Sequence, residues 1–338
     1  MEKKLVLIDP AKRQLKGNLH LHTTRSDGEV TAEECAARHR ALGYDFMMMS
    51  DHEIYWDSDR LDKEDFLVLS GAEIAVKMNS PRRWVINYHR STEYDNGVNF
   101  KRMHYGCIKD VTEEAAEPSF AHDEEIPEAL DCGIDSWNDK VDEMRRRGNL
   151  VIVNHPHWSR LEPAMLLATR EAFAVEIWNS GDVNNCGGHS DEEIWDYCLI
   201  RGRRLLAVAA DDCHEYREDE DFGVGFVMVS TNDFTKPGIV RALKQGDFYA
   251  SCGPQVHEMT VENGVLKLRC SPVRQIKVTT LEAEGANFFG KNGALLEGAE
   301  WKINPQLGYF RVELFDEKGR KAWCQPVYVE DLKKQGCM

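Results

Sequence analysis

GNLHLHTTRSDG, residues 17–28, places two histidines two positions apart at the end of a short run, Leu15–Leu21. Side chains on a strand alternate between faces, so residues i and i+2 share one, and His20 and His22 can meet one ion. The same layout recurs along the chain. Asp45–Met49 leads into Ser50, Asp51 and His52, and Phe66–Leu69 leads to Glu73. Leu150–Val153 leads to Asn154 and His155, Ala174–Trp178 to Asn179, and Leu205–Ala210 to Asp211, Asp212 and His214. Each run is short enough for a buried strand. A single histidine or aspartate at a strand end has ordinary uses, such as bonding a carbonyl or capping a helix. Recurrence at successive strand ends has no such structural explanation.

Helix signals fall between the runs. Thr31-Ala-Glu-Glu34 is a capping box, and Gly43 closes the helix it opens. Asp135 caps a second helix that runs to Gly148, with Arg145, Arg146 and Arg147 in its last turn. Pro163 starts a third, Ser190-Asp-Glu-Glu193 opens a fourth, and residues 237–245 give a fifth. Strands alternating with helices predict an α/β fold of parallel strands with helices outside, a barrel whose strand ends form the catalytic face. After Gly253-Pro254 the pattern changes to short alternating segments separated by turns such as Glu262-Asn263-Gly264. That predicts a small antiparallel, sandwich-like β domain over 253–338 behind a catalytic domain over 1–252, with 90–134 as an insertion or long loop.

The 338 residues are 42% hydrophobic and 30% charged, as in an ordinary globular protein. A net charge of −16 repels nucleic-acid backbones, so no long nucleic acid is expected. The N-terminal apolar run is too short for a signal core or membrane span, and the ten cysteines form no CxxC pair. The expectation is a cytoplasmic protein with free thiols and no membrane contact.

His20, His22, Asp27, His52, Glu73, His155, Asp212 and His214 offer more N/O ligands than one zinc takes, but suit two or three divalent ions. Zn, Mn or Fe all accept such a set. Glu73 is the natural bridge between two of them. Adjacent divalent ions lower the pKa of bound water and neutralise a phosphoryl group during in-line attack. No side-chain nucleophile is then needed, and the chain has no GxSxG, Walker A or GxGxxG motif. Arg25 is a candidate phosphate contact and His157 a candidate general acid or substrate contact. Tyr55, Trp56 and Trp158 are candidates for an apolar wall.

The stretches GNLHLHTTRSDG (17–28), MSDHE (49–53), GAEI (71–74), NHPHW (154–158) and AADDCH (209–214) resemble the PHP (polymerase and histidinol phosphatase) superfamily, over roughly residues 16–252. GDFYASCGP (246–254) and the tail GYFRVELFDEKGRKAWCQPVYV are similar to a two-domain branch that includes carbaryl-hydrolase-like PHP proteins. The resemblance implies a distorted seven-stranded (β/α) barrel, followed by a β domain, and up to three metals. It implies His20, His22, Glu73 and Asp212 around one ion, Glu73 and His155 at a second, and Asp27, His52 and His214 at another. Asp51 and Asp211 are implied as carboxylates that orient ligand histidines. One departure stands out. The family pattern has a histidine on the strand after the glutamate, where this chain has Trp84, with His89 as a more distant substitute within RRWVINYHRST (82–92). His104, His122, His189 and His257 fit no motif.

The expected activity is hydrolysis of a small phosphate monoester or diester. Two alternatives stay open: a metal-dependent hydrolase of carboxylic esters, amides or carbamates, and a non-catalytic metal-binding scaffold whose β domain recruits a partner or glycan. Oligomeric state is not set by the sequence.

Overall fold

The computed structural model describes residues 4–79, 100–218, 220–281 and 285–338. Its strands begin with β1 (Lys4–Ile8), β2 (Gln14–Asn18), β3 (Phe46–Met48), β4 (Leu67–Leu69), β5 (Gly71–Asn79) and β6 (Phe100–Lys109). β7 (Ala129–Cys132), β8 (Asn149–Val153), β9 (Ala174–Asn179), β10 (Leu206–Ala210), β11 (Phe226–Ser230) and β12 (Phe248–Ser251) follow. Between them lie α1 (Ala32–Ala41), α2 (Ile134–Arg146), α3 (Pro163–Ala168), α4 (Glu192–Leu199) and α5 (Lys236–Gln245).

The helix ends follow elementary capping chemistry. Thr31 accepts a hydrogen bond from the Glu34 amide at the start of α1, and Thr235 does the same for Gly238 at α5. Asp135 is not the cap of α2: Gly133 takes that place, and Asp135 adds negative charge to the first turn instead. Asp191, not Ser190, precedes α4.

β2, β3 and β4 are parallel neighbours, as are β8, β9 and β10. The expectation of parallel strands throughout is corrected at β6, which runs antiparallel to both β5 and β8. β6 and β7 both fall inside the stretch expected as an insertion or long loop, and β6 is central in its six-stranded sheet. Its reading was obscured because Arg102 and His104 alternate with buried Met103, Tyr105 and Cys107. No continuous ladder closes a barrel among the described residues. Two single parallel bridges, Leu21↔Cys213 and His52↔Glu73, join the sheet holding β2 and β3 to the sheet holding β5 and β10.

Past residue 252 come β13 (Val256–Glu262), β14 (Val265–Val273), β15 (Gln275–Thr280), β16 (Ala286–Phe289) and β17 (Leu296–Lys302). β18 (Tyr309–Phe315), β19 (Lys321–Cys324), β20 (Val327–Tyr328) and α6 (Val329–Gln335) complete the chain. This region is β-rich and its ladders are antiparallel. β12 pairs with β19 and β1 with β13, so strands on either side of residue 252 share sheets. Inside the first region, Leu15, Phe46, Met48, Leu69, Ile152 and Val208 pack into one apolar cluster. Full burial of each such side chain contributes about 1.5–3 kcal/mol. That packing sets a rigid floor under the polar strand ends. No helix among the described residues is long and apolar enough to cross a membrane.

Candidate metal centre

The two single bridges also position the ligands. The Asp212 amide donates to the His20 carbonyl at 2.9 Å, and the His22 amide donates to the Cys213 carbonyl at 3.0 Å. HxH and DCH are thereby locked side by side. On the other side the Glu73 amide donates to the Asp51 carbonyl at 3.2 Å, which brings His52 against Glu73. His155 and Asp212 hold positive φ values of 26° and 52°, and Glu53 one of 55°. Such conformations cost of order 1–3 kcal/mol each in a non-glycine residue and gather at functional sites. Gly28 is required for a different reason: a Cβ there would lie 2.3 Å from the His22 carbonyl oxygen, so the SDG turn folds back only with glycine.

Glu73 is the centre of the arrangement. It is buried, and imidazole nitrogens of His20, His155, His104, His52 and His22 lie 3.1, 3.2, 3.3, 3.2 and 3.4 Å from its oxygens. Asp212 Oδ1 is 3.2 Å from His20 Nε2 and 3.0 Å from His22 Nε2, and those two nitrogens are 3.2 Å apart. Farther out, Asp27 stands 3.5–3.7 Å from His214, His22 and His52. Four groups of ligand atoms lie close enough to share an ion: His22, Asp27, His52 and His214; His20, His22 and Glu73; His20, His155 and Asp212; and His52, Glu73 and His104.

Protons alone do not satisfy this cluster. Burial opposes charge on His20, yet Asp212, Glu73 and Glu176 outweigh it and raise its pKa well above the ordinary value. Burial likewise opposes charge on His22, and Asp212 and Glu73 push it up to about 10. His52 is driven the other way, to about 3, by burial and by the neighbouring His22. Burial also lowers His104. Glu73 and Asp212 stay well below the usual carboxylate range because the histidine charges overcome burial. Even so, neither Asp212 Oδ1 nor either ring nitrogen of His104 makes a well-aligned hydrogen bond, although His22 stands 3.0 Å from the first and Glu73 3.3 Å from His104. Buried groups so poorly hydrogen-bonded are costly, and their lone pairs suit divalent cations bound by N and O donors. The donor set therefore fits the expected metals.

A second layer holds the ligands. Glu176 accepts from His20 Nδ1 at 3.0 Å and from the His155 amide at 2.8 Å. Asn154 donates to Glu73 at 2.7 Å, and Asn179 donates to Asp212 at 3.0 Å. The Nδ1–H of His214 donates to its neighbour's carbonyl at Asp212, which leaves Nε2 toward Asp27.

All eight ligand candidates converge, but the expected supporting residues do not do what was expected. Asp51 accepts from Thr23, Arg25 and Ser26, so it shapes the loop after the HxH pair rather than touching a histidine. Asp211 accepts from the amides of Gly223, Val224 and Gly225 and from Ser180 and Asn18. It anchors a different loop. Arg25 spends its two terminal nitrogens on Asp51, Asp123 and the Tyr55 carbonyl. His157 donates from Nδ1 to Asp182 at 2.8 Å, and its Nε2 accepts from Arg160. Trp84 and His89 lie outside the described residues.

Two members were missed in the sequence. His104, on β6, supplies an imidazole from the strand after Glu73, the place left to Trp84 or His89 above. Its signal was the alternation Arg102, His104, Gly106 against buried Met103, Tyr105 and Cys107. Glu176 is a lone acid, itself buried, in the AVEIWN strand. A cavity of about 310 Å³ opens beside the cluster, lined by Ser26, Asp27, His52, His104, Arg102 and Glu128 among others.

The fold is mixed α/β, and the His/carboxylate cluster at its strand ends could hold metal ions. No family profile and no curated protein matches the chain. Solved structures do. One is a two-domain protein from Bacteroides vulgatus containing a predicted PHP-like metal-dependent phosphoesterase, at 14% identity over 91% of both chains with a TM-score of 0.47. A candidate metal-dependent phosphoesterase from Bifidobacterium adolescentis matches at 15% identity over 67% of this chain and 96% of that one, with a TM-score of 0.42. An amidohydrolase from Chromobacterium violaceum, with bound sulfate and no metal, matches at 14% identity over 69% and 96%, with a TM-score of 0.38.

Proposed function

We propose that the chain is a metal-dependent hydrolase of small phosphate esters. One observation carries this reading: a buried carboxylate, Glu73, is ringed by five imidazoles, with Asp212 Oδ1 and His104 left poorly hydrogen-bonded beside it. Glu73, Asp212, His20, His22, His104 and His155 would hold ions in the buried part, and Asp27, His52 and His214 an ion at the mouth. Divalent ions held there would supply an activated water and offset phosphoryl charge. The protein's own part is orientation. Glu176 sets the His20 ring, Asn154 and Asn179 aim the two carboxylates, and the cavity admits a small ester. Arg25 and His157 are left out of this machinery because Asp51, Asp123, Asp182 and Arg160 already engage them. A net charge of −16 disfavours long nucleic acids as substrates.

The test is a paired assay on protein purified without chelator, with metal content measured in the same sample. Two or three Zn, Mn or Fe ions per chain and turnover of nitrophenyl phosphate are expected. Turnover of nitrophenyl acetate alone, at the same metal loading, would assign the site to carboxylic ester, amide or carbamate bonds. Full metal loading with no turnover of a broad ester set would leave a binding scaffold.

A further inference from the structure

Resting on the phosphoesterase reading, we propose that Arg102 selects the substrate by binding a second anionic group, a carboxylate or phosphate, on the alcohol side of the ester. The β5–β6 register pairs Glu73 with Gly106, Ala75 with His104, and Lys77 with Arg102. Paired residues two apart share a face, so one face reads from the ligand carboxylate to the ligand imidazole to a pair of cations. Each step along the strand is about 7 Å. Arg102 therefore stands one step beyond the last imidazole, too far along the strand to be a metal-site residue and well placed for the far end of a bound ester.

The cavity runs between these two points. Asp27, His52 and His104 line it together with Glu53, Arg102 and Glu128. Arg102 is the one arginine or lysine among the described residues that line it. Among the described residues its one ion-pair partner is Glu128, and that contact is loose. Lys77 pairs closely with Glu128, whereas Arg102 Nη2 is 3.9 Å from the other oxygen of Glu128, beyond hydrogen-bond range. Glu53 turns one oxygen to the Ala75 amide at 2.7 Å. A partly exposed guanidinium that makes only this loose ion pair among the described residues matches the geometry of a carboxylate or phosphate. Ions held by the ligand cluster would serve the scissile phosphoryl group, so the second anion falls to Arg102.

The experiment measures binding to the metal-loaded protein by calorimetry with two phosphonates, 4-phosphonobutyrate and butylphosphonate, which differ by one carboxylate. Wild type is expected to prefer the first by about ten-fold or more, the order of one charge-assisted contact. Arg102→Gln brings the two affinities together, and Arg102→Lys restores part of the difference, with circular dichroism and metal content confirming that both variants are folded and loaded. Equal affinities in wild type, binding of neither phosphonate, or a preference that survives in Arg102→Gln overturns the proposal. A parallel phosphate-release assay on 3-phosphoglycerate and glycerol phosphate separates the two readings. Cleavage of neither ester, with the phosphonate preference intact, removes the phosphoesterase reading and leaves Arg102 as an anion-selecting residue.

Discussion

Buried charge is handled in opposite ways at the strand-end cluster and in the β-rich region after residue 252. There, Arg311 is almost fully buried on β18, and Asp196 of α4 accepts from it at 2.8 and 2.7 Å while Glu313 lies 2.9 Å away. A buried histidine outside the cluster is also answered from within: His39 donates from Nδ1 to the Cys35 carbonyl and accepts from Asn18 at Nε2. At the cluster, five imidazoles share Glu73 and three ring or carboxylate atoms make no well-aligned hydrogen bond. Equal burial therefore has two meanings. An isolated unpartnered atom occurs in both regions, Arg311 Nη1 among them; what sets the cluster apart is that its unmatched lone pairs lie together among converging imidazoles and carboxylates, an arrangement suited to a cation.

The widest gap between the two regions should appear on deleting cluster residues. Asp212→Ala or His22→Ala is expected to take turnover below detection and to strip metal while the thermal unfolding profile stays cooperative. His104→Ala should also lower the metal count, and a full complement of metal in that variant would return His104 to a packing role. Arg311→Ala should do the reverse, leaving metal stoichiometry unchanged and destabilising the fold by about 1–3 kcal/mol in urea titration, because the buried Glu313 then keeps only Lys277 and Thr279 as partners and Asp196 loses its two hydrogen bonds. A cost below about 1 kcal/mol would show that water reaches this pair.

His39 gives a pH-dependent contrast. Burial pushes its pKa down to about 4, from an unfolded value near 6.5. Between those values the unfolded chain binds a proton that the folded chain refuses, so stability falls as pH drops from 6.5 toward 4. The loss approaches about 3 kcal/mol at about 1.4 kcal/mol per unit. Urea midpoints measured from pH 7 to pH 4.5 should show it, and His39→Gln should flatten that part of the profile. The smallest effect is expected at the second layer: Glu176→Gln keeps an acceptor for His20 but removes the charge, and should weaken metal affinity by about 10–100-fold. An unchanged affinity would mean that backbone bridges alone orient His20.

Much of the site was legible in the chain. HxH, SDH, NHPH and DDCH could be read because side chains on a strand alternate, so spacing alone puts a pair of donors on one face. Errors came where proximity in sequence stood in for proximity in space. Asp51 and Asp211 adjoin ligands but bond to loops, while Glu176, far from His20 in the chain, is the acid that holds it. His104 was hidden in a stretch read as a loop because its strand pairs antiparallel and mixes polar with apolar residues.

The linear order of residues thus established the stock of imidazoles and carboxylates, their local facing, and the β-rich character of the last quarter of the chain. Which of them meet was settled by folding. Residue 22 reaches residue 213, and residue 52 reaches residue 73, through backbone hydrogen bonds between distant segments. Such pairings depend on how whole strands pack, a non-local property that no short spacing encodes.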